Sequence, residues 1–375
     1  MKILFALAGL HRFDRGAEIA FISVADELAK SGEDVTLIGS GPPREGATYA
    51  YFRAPCFPRT RFEDYPPLPF LRHEYAYEEL TFAPSLLSRY WPADYDVTVT
   101  CSYPYTNWLL RRPALHGARP PHVFVTQNGD WPAYANTAEY RFFGCEGLVC
   151  TNPDYFERNK QRWNCCLIPN GVDIERFVPG PPQRDAFGLP SEKTLVLMVS
   201  ALIDSKRVEA GIEAVSRLAD AHLVVTGDGP LRQRIPEKAA SLLQGRFTIL
   251  SLPAEQMPVL YRSADVFLHM SLEEAFGNVF IEALACGLPV VGHESPRLRW
   301  IVGEHGFLVD TNEPGNVASA ITSASTRAIA KREDRIAWAA NFSWKRVGQA
   351  YRDFLQSVVA ESRAGKRATP RRQPA

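Results

Sequence analysis

Short, continuously apolar stretches recur along this chain with helical stretches between them. KILFALAG, DVTLIGS, DVTVTCS, HVFVTQNG and GLVCTN fall in the first half, and TLVLMVSAL, HLVVTGDG, FTILSL, DVFLHMS and PVVGH in the second. A strand that is apolar on both faces must be covered on both faces, so these runs predict parallel sheets flanked by helices. The first forty residues set the pattern: a strand, a helix with apolar positions at Ile19, Ile22, Ala25, Leu28 and Ala29, a stop at Gly32, and a second strand. The fold class predicted is α/β, with two Rossmann-like doubly wound domains in tandem and ligands expected in the cleft between them.

At 375 residues the chain is long enough for two cores. Residues 1–176 form the first predicted domain, the Pro- and Gly-rich 177–194 a linker, and 195–341 the second domain. A terminal helix is expected at 342–358, with apolar spacing at Val347, Ala350, Tyr351, Phe354 and Leu355, and a basic disordered tail at 359–375. Residues 41–92 break the rhythm with prolines and aromatics and read as a long irregular insertion. Lys plus Arg and Asp plus Glu both number 42, so no global field recruits nucleic acid, and any anion site is local. Seven cysteines without CxxC pairing fit a reducing, cytoplasmic setting better than a zinc site or a disulfide scaffold. The opening MKILFALAGLHRF is too short an apolar run for a leader and reads as a buried strand.

Four loops at strand ends hold the candidate chemistry. HRFDRGAE places Gly16 at a helix start, where backbone N–H groups approach a phosphate, or where a plain turn suffices. No GxGxxG follows the first strand, which counts against a nicotinamide enzyme. Lys206 and Arg207 stand between a strand and a helix, placed either to neutralise a diphosphate or to be solvated. TGDGP, with Gly227, is explained equally by chain reversal. In SLEEAFGNVFIEALACG, Gly277 and Asn278 make the best helix start, which leaves Glu274 on the loop and puts Glu282 in the second helical turn. Carboxylates so placed suit the vicinal hydroxyls of a sugar and a ribose, and two solvated acids are the alternative. Asp94-Tyr95-Asp96 is formally a DxD but introduces a strand, so it reads as a turn and no metal is expected.

The combination IPNGVDIERFVP, VSALIDSKRV, TGDGPLR, EAFGNVFIEALACGLPVV and GFLVD resembles the GT-B glycosyltransferases of the glycosyltransferase 4 family. That resemblance implies a retaining, metal-independent hexosyltransferase without a cofactor, using a UDP-, GDP- or ADP-sugar as donor and a glycan, glycolipid or small-molecule acceptor. It implies that Glu274 holds the donor sugar and Glu282 the ribose. The backbone at Phe276, Gly277 and Asn278 would contact sugar and phosphate, and Lys206 would neutralise the diphosphate, with Arg207 and Gly227 beside it. The loop at Leu252 to Gln256 would meet the base. Gly16 matches the second glycine of the family's phosphate-covering loop, with Arg15 in place of the first.

Two departures stand out. Ser200 and Ala201 occupy the place of a Gly-Arg pair, for which Arg207, Arg232 or Arg234 are the candidate replacements. Asn128 stands with Gly129 and Asp130 where a histidine near the acceptor is common. On the acceptor side, Phe62, Tyr65, Phe70, Tyr75, Tyr77, Trp131 and Tyr134 form either an aromatic platform or ordinary packing. Arg53, Arg59, Arg61 and Arg72 allow a weak peripheral membrane contact, and interspersed acids equally make them a solvated surface. Oligomeric state carries no sequence signal. Besides the transferase, a non-catalytic sugar-nucleotide-binding module and a GT-B epimerase fit the same pattern.

Overall fold

A computed structural model describes residues 1–114, 118–328 and 330–365. They divide into two compact units, one formed by Met1–Asn170 together with the chain from Trp344 onward, the other by Gly171–Ser343.

The first unit runs β1 (Lys2–Ala6), α1 (Gly16–Lys30), β2 (Asp34–Gly39), β3 (Ala50–Arg53), α2 (Glu74–Arg89), β4 (Val97–Thr100), α3 (Tyr105–Leu110), β5 (His122–Val125), α4 (Trp131–Tyr134), β6 (Gly147–Cys150), α5 (Pro153–Asn159) and β7 (Cys165–Leu167). Its seven strands are ordered β3-β2-β1-β4-β5-β6-β7, and every pairing is parallel. The second unit runs β8 (Thr194–Val199), α6 (Val208–Ser216), β9 (Ala221–Thr226), α7 (Arg234–Leu243), β10 (Phe247–Leu250), α8 (Met257–Ser263), β11 (Val266–Leu268), α9 (Asn278–Ala285), β12 (Val290–His293), α10 (Pro296–Val302), β13 (Gly306–Val309), α11 (Pro314–Thr326) and α12 (Arg332–Ala339). Its six strands are again all parallel, in the order β10-β9-β8-β11-β12-β13. Central strands β1, β8 and β11 are almost wholly buried, as continuous apolar runs require.

Strand order reverses between β1 and β4 in the first sheet and between β8 and β11 in the second. Helices on the two sides of such a switch point leave opposite faces of the sheet, so the loops beyond the carboxyl ends of those strands splay apart and make a crevice. The loops carrying Lys206 and Glu274 follow β8 and β11 respectively and therefore flank the second sheet's crevice.

A last helix, α13 (Trp344–Arg363), belongs to the first unit. Val347, Tyr351, Phe354, Leu355, Val358 and Val359 enter the core formed by β1, β4 and α1. A Cβ on Gly147 would come within 2.8 Å of Val358 and 3.0 Å of Phe354, so only glycine lets the helix lie this close to β6. Arg352 Nε donates to Glu33 Oε1 at 2.7 Å, and the N-terminal amine pairs with Oε2 of the same carboxylate.

Three sequence expectations are corrected. The stretch 41–92 is not irregular throughout: it supplies the edge strand β3 and the sixteen-residue α2, whose apolar period is interrupted by Pro84. Residues 177–194 are not a free linker. Phe177 and Leu189 are buried in the second unit, and Arg184 bonds Asp265 at 2.8 Å. Proline-rich composition marks the lack of regular structure there, and packing is unaffected by it. The disordered tail is expected from 359, but 359–363 continue α13; residues 366–375 lie outside the described residues. Asp96 opens the turn into β4, where its carboxylate accepts from the Lys2 amide at 2.8 Å and from Arg363 at 2.5 Å.

No helix among the described residues is long and apolar enough to cross a membrane. All seven cysteines are free thiols.

Candidate functional site

The loop between β11 and α9 is held by its own backbone chemistry. Gly277 sits at φ +78°, and a Cβ there would meet the Phe280 ring at 2.6 Å, so glycine is required on both counts. That turn starts α9 at Asn278 and leaves Glu274 on the loop, with Glu282 one turn into the helix. The Phe276 ring points away from the loop into the core, edge-on to Trp300 at 6.1 Å, so any ligand contact from this residue is made by its backbone.

Glu274 is the hub. Lys206 Nζ forms an ion pair with its Oε1, and the Arg297 guanidinium donates to its backbone carbonyl. His269 Nε2 lies 3.3 Å from the same Oε1. The His269 ring is 3% exposed and packs 4.9 Å from Phe280, and burial, reinforced by the Lys206 charge, pulls its pKa down to about 4 against the opposing effect of Glu274. The imidazole is therefore neutral at pH 7. Its Nδ1 accepts from the Ser271 amide at 3.4 Å, which puts the proton on Nε2 and aims it at Glu274. A narrow recess of about 10 Å³ lies beside this group, lined by Ser271, Glu274, Phe280, His293 and Arg297 among others.

Glu282 occupies a separate place. Its Oε2 accepts from the Tyr261 hydroxyl at 2.8 Å, and burial raises its pKa, with the Arg176 charge acting the other way. Arg176 also donates to the Ala254 carbonyl, which ties the segment after Asn170 to the loop that follows β10. Leu252 in that loop packs against the core around α9, leaving its backbone as the available surface.

The remaining candidates are distributed as follows. Lys206 ends a 3₁₀ turn (Asp204–Lys206), and Arg207 follows at φ +51°. The Arg207 guanidinium bonds Thr311 Oγ1 at 3.1 Å and Asn312 Oδ1 at 3.0 Å in the loop after β13, and the Met270 carbonyl after β11 at 3.3 Å. Gly227, at φ +146°, brings two backbones together, since a Cβ there would lie 1.9 Å from the Ser200 carbonyl oxygen. Of the proposed replacements for the missing arginine, Arg234 pairs with Glu209 at 2.9 Å and Arg232 donates to the Gly227 carbonyl at 2.9 Å. Gly16 and Asn128 belong to the first unit. Gly16 is the first residue of α1, with open space where its Cβ would stand, and Asn128 is exposed just beyond β5.

The acceptor-side aromatics divide. Phe62, Tyr65 and Tyr77 pack on one another at 5.2–5.4 Å although Tyr65 is half-exposed, and Trp131 and Tyr134 are about two-fifths exposed. Sequence reasoning missed His269, Arg297, Tyr261 and Arg176. No spacing marks a lone histidine at a strand end, and the two arginines, Arg297 on the first turn of α10 and Arg176 on a loop, are remote in sequence from the glutamates' motif or its partners.

Two family models match the chain in succession: Glycosyltransferase Family 4 over residues 15–176 and Glycosyl transferases group 1 over residues 181–341. Two doubly wound domains with a helix-start glutamate motif at the second switch point define a GT-B protein of the sugar-transferase class. The chain belongs to the family 4 glycosyltransferases.

It is 29% identical over 224 residues to the D-inositol 3-phosphate glycosyltransferase of Corynebacterium jeikeium, covering 54% of each chain. It is 28% identical over 245 residues to the lipopolysaccharide core biosynthesis glycosyltransferase LpsE of Rhizobium meliloti, covering 62% of this chain and 69% of that one. For the GDP-mannose-dependent alpha-(1-6)-phosphatidylinositol dimannoside mannosyltransferase of Mycobacterium tuberculosis the identity is 30% over 216 residues, covering 54% and 55%. The chain thus spans about half the length of most of these curated relatives.

Among solved structures, sucrose-phosphate synthase from Thermosynechococcus elongatus aligns with a TM-score of 0.75 at 21% identity, over 96% of this chain and 99% of that one. Anabaena HepE, in complex with UDP and glucose, aligns with a TM-score of 0.71 at 19% identity, over 95% and 100%. At these identities the likeness establishes the GT-B fold.

Proposed function

We propose that this chain is a retaining glycosyltransferase that moves a hexosyl group from a nucleoside-diphosphate sugar to a hydroxyl acceptor, in the biosynthesis of a glycan, polysaccharide or glycolipid. The observation that carries the reading is the contact of Lys206 with Glu274 at the second switch point, with Glu282 on the helix that follows. A cation for a departing diphosphate and a carboxylate for sugar hydroxyls must be neighbours, because the groups they serve are joined through the anomeric carbon. HepE, whose solved structure holds UDP and glucose, shares the fold and supports a nucleotide sugar as the donor class.

In this reading Glu274 accepts hydrogen bonds from donor hydroxyls, and His269 fixes its rotamer. Lys206 stabilises the charge that develops on the leaving diphosphate as the glycosidic C–O bond breaks. The acceptor oxygen attacks from the face the diphosphate leaves, forming the new C–O bond, and its proton passes to the departing phosphate oxygen. Glu282 holds the ribose hydroxyls. Asn128, with a side-chain amide that both donates and accepts, positions the acceptor sugar. The protein supplies position and charge, and no metal or cofactor has a role.

Titrating UDP-, GDP- and ADP-sugars by calorimetry, and then following transfer with and without a chelator, tests this. Binding of one class, its loss in Glu282→Ala and turnover that survives chelation are expected. Tight binding with no turnover across acceptors favours a non-catalytic sugar-nucleotide module, and interconversion of the free sugar nucleotide favours an epimerase.

A further inference from the structure

Beyond β1 and β3 of the first sheet, three arginines gather on two loops: Arg12 and Arg15 before α1, and Arg59 between β3 and α2. Arg12 and Arg15 flank the Phe13 ring, with their guanidinium carbons 5.4 and 3.9 Å from its centroid. Arg12 donates to the Cys56 carbonyl at 3.3 Å, which joins the two loops. Arg59 is the only one of the three with a carboxylate in reach, its Nε 3.6 Å from Glu78 Oε2 among the described residues.

Arg15 Nη1 and Arg59 Nε are both buried and have no hydrogen-bond partner among the described residues. Burial is the main influence lowering the Arg15 pKa, and the charges of Arg59 and Arg12 act in the same sense. Glu18 and Glu78 act on Arg15 in the opposite sense, but Glu18 is itself 3% exposed and its pKa is raised by burial.

A guanidinium stays charged in a protein, and a buried, unpaired N–H on one carries a desolvation cost that folding alone gives no reason to accept. Three guanidiniums on two loops have one carboxylate within ion-pair distance, and two of them hold a buried donor without a hydrogen-bond partner among the described residues, a donor set suited to an anion.

We propose that Arg12, Arg15 and Arg59 bind a phosphoryl group, and that this group belongs to the acceptor. The proposal rests on the glycosyltransferase reading, in which the first unit takes the acceptor. The planar fork of arginine matches phosphate oxygens two at a time, and three forks on two loops surround a tetrahedral dianion better than a planar carboxylate. Phe13 holds two of the forks apart and leaves an apolar wall on which the acceptor's ring or chain can rest. The acceptor so defined is a phosphorylated sugar, polyol or lipid headgroup, and a neutral glycan is disfavoured.

The same chemistry could be supplied by the donor diphosphate, so the test has two arms. Glucose 6-phosphate and inorganic phosphate are titrated into the full chain in one, and UDP in the other, at two ionic strengths, for wild type, Arg15→Gln, Arg59→Gln and Arg15→Lys. The expected result is that both phosphates bind, compete with each other and weaken with salt. Both glutamine variants should lose at least tenfold in phosphate affinity, Arg15→Lys should lose less, and UDP affinity should stay within twofold throughout. Thermal melting of each variant separates loss of the site from loss of the fold. Phosphates that fail to bind wild type, or bind every folded variant equally, overturn the proposal. Loss of UDP affinity with unchanged phosphate affinity also overturns it and assigns the arginines to the donor. UDP that fails to bind wild type refutes the glycosyltransferase reading instead, whatever the phosphates do.

Discussion

His269 Nε2 faces Glu274 Oε1 at 3.3 Å while its Nδ1 faces the Ser271 amide, so a buried neutral imidazole holds the carboxylate that Lys206 also grips. A carboxylate fixed from two sides has little rotamer freedom left to lose when a sugar arrives.

Replacing His269 by leucine keeps the volume roughly and removes the donor. We expect kcat to fall about tenfold with KM nearly unchanged, since one charge-assisted hydrogen bond is worth about 1.5–3 kcal/mol and only part of it is expressed in the transition state. His269→Gln, which can donate to Glu274, should recover most of the loss. Steady-state kinetics of the two variants check this, and a rise in KM alone in His269→Leu would mean a packing role.

The same histidine sets a pH dependence of stability. Its folded pKa of about 4 lies below the unfolded value of about 6.5, so the unfolded chain takes up the proton first as pH falls. Its contribution is complete above pH 6.5 and declines toward pH 4, by about 3 kcal/mol if it acts alone. His269→Gln should therefore melt closer to wild type at pH 4.5 than at pH 7.5, as measured by thermal denaturation at both values.

Glu79 on α2 carries the opposite sign. It is 3% exposed, its Oε2 accepts from the Thr106 amide at 3.3 Å, and burial raises its pKa to about 7. The folded state holds this proton more tightly than the unfolded one, so the stability it contributes is present at low pH and lost as pH rises from about 4.5 to 7. Glu79→Gln keeps a side-chain oxygen for Thr106 and removes the buried charge. Its gain in melting temperature over wild type should be larger at pH 8 than at pH 5.

Gly277→Ala tests the loop itself. A Cβ 2.6 Å from Phe280, on backbone at φ +78°, forces the helix start to move. We expect a loss of about 1–3 kcal/mol of stability and a larger proportional loss of nucleotide-sugar binding, followed by chemical denaturation and calorimetry.

Much of this arrangement was legible beforehand for identifiable reasons. Apolar runs buried on both faces announced parallel strands, and the glycine at 277 divided Glu274 on the loop from Glu282 on the helix. Where one residue type serves two purposes the sequence is ambiguous. Arg207 looks like a phosphate ligand by position, yet its guanidinium ties the β8 and β13 loops together. Pro84 reads as a helix breaker, but α2 continues through it and hides inside an apparently irregular stretch. Phe276, expected to offer only its backbone, has its ring in the core. His269 gave no signal because its importance comes from burial and from one carboxylate, and neither is visible in a strand that reads simply as apolar.

The central claim is that Glu274 and Lys206 act on a donor sugar and its diphosphate. It is tested most directly by the rate of nucleoside diphosphate release from UDP-, GDP- and ADP-sugars, by wild type and by Glu274→Gln. Release from at least one donor, slowed about a hundredfold or more in the variant with donor affinity changed far less, is the result this account predicts. An unchanged rate in Glu274→Gln, or tight donor binding with no release from any of the three, would contradict it.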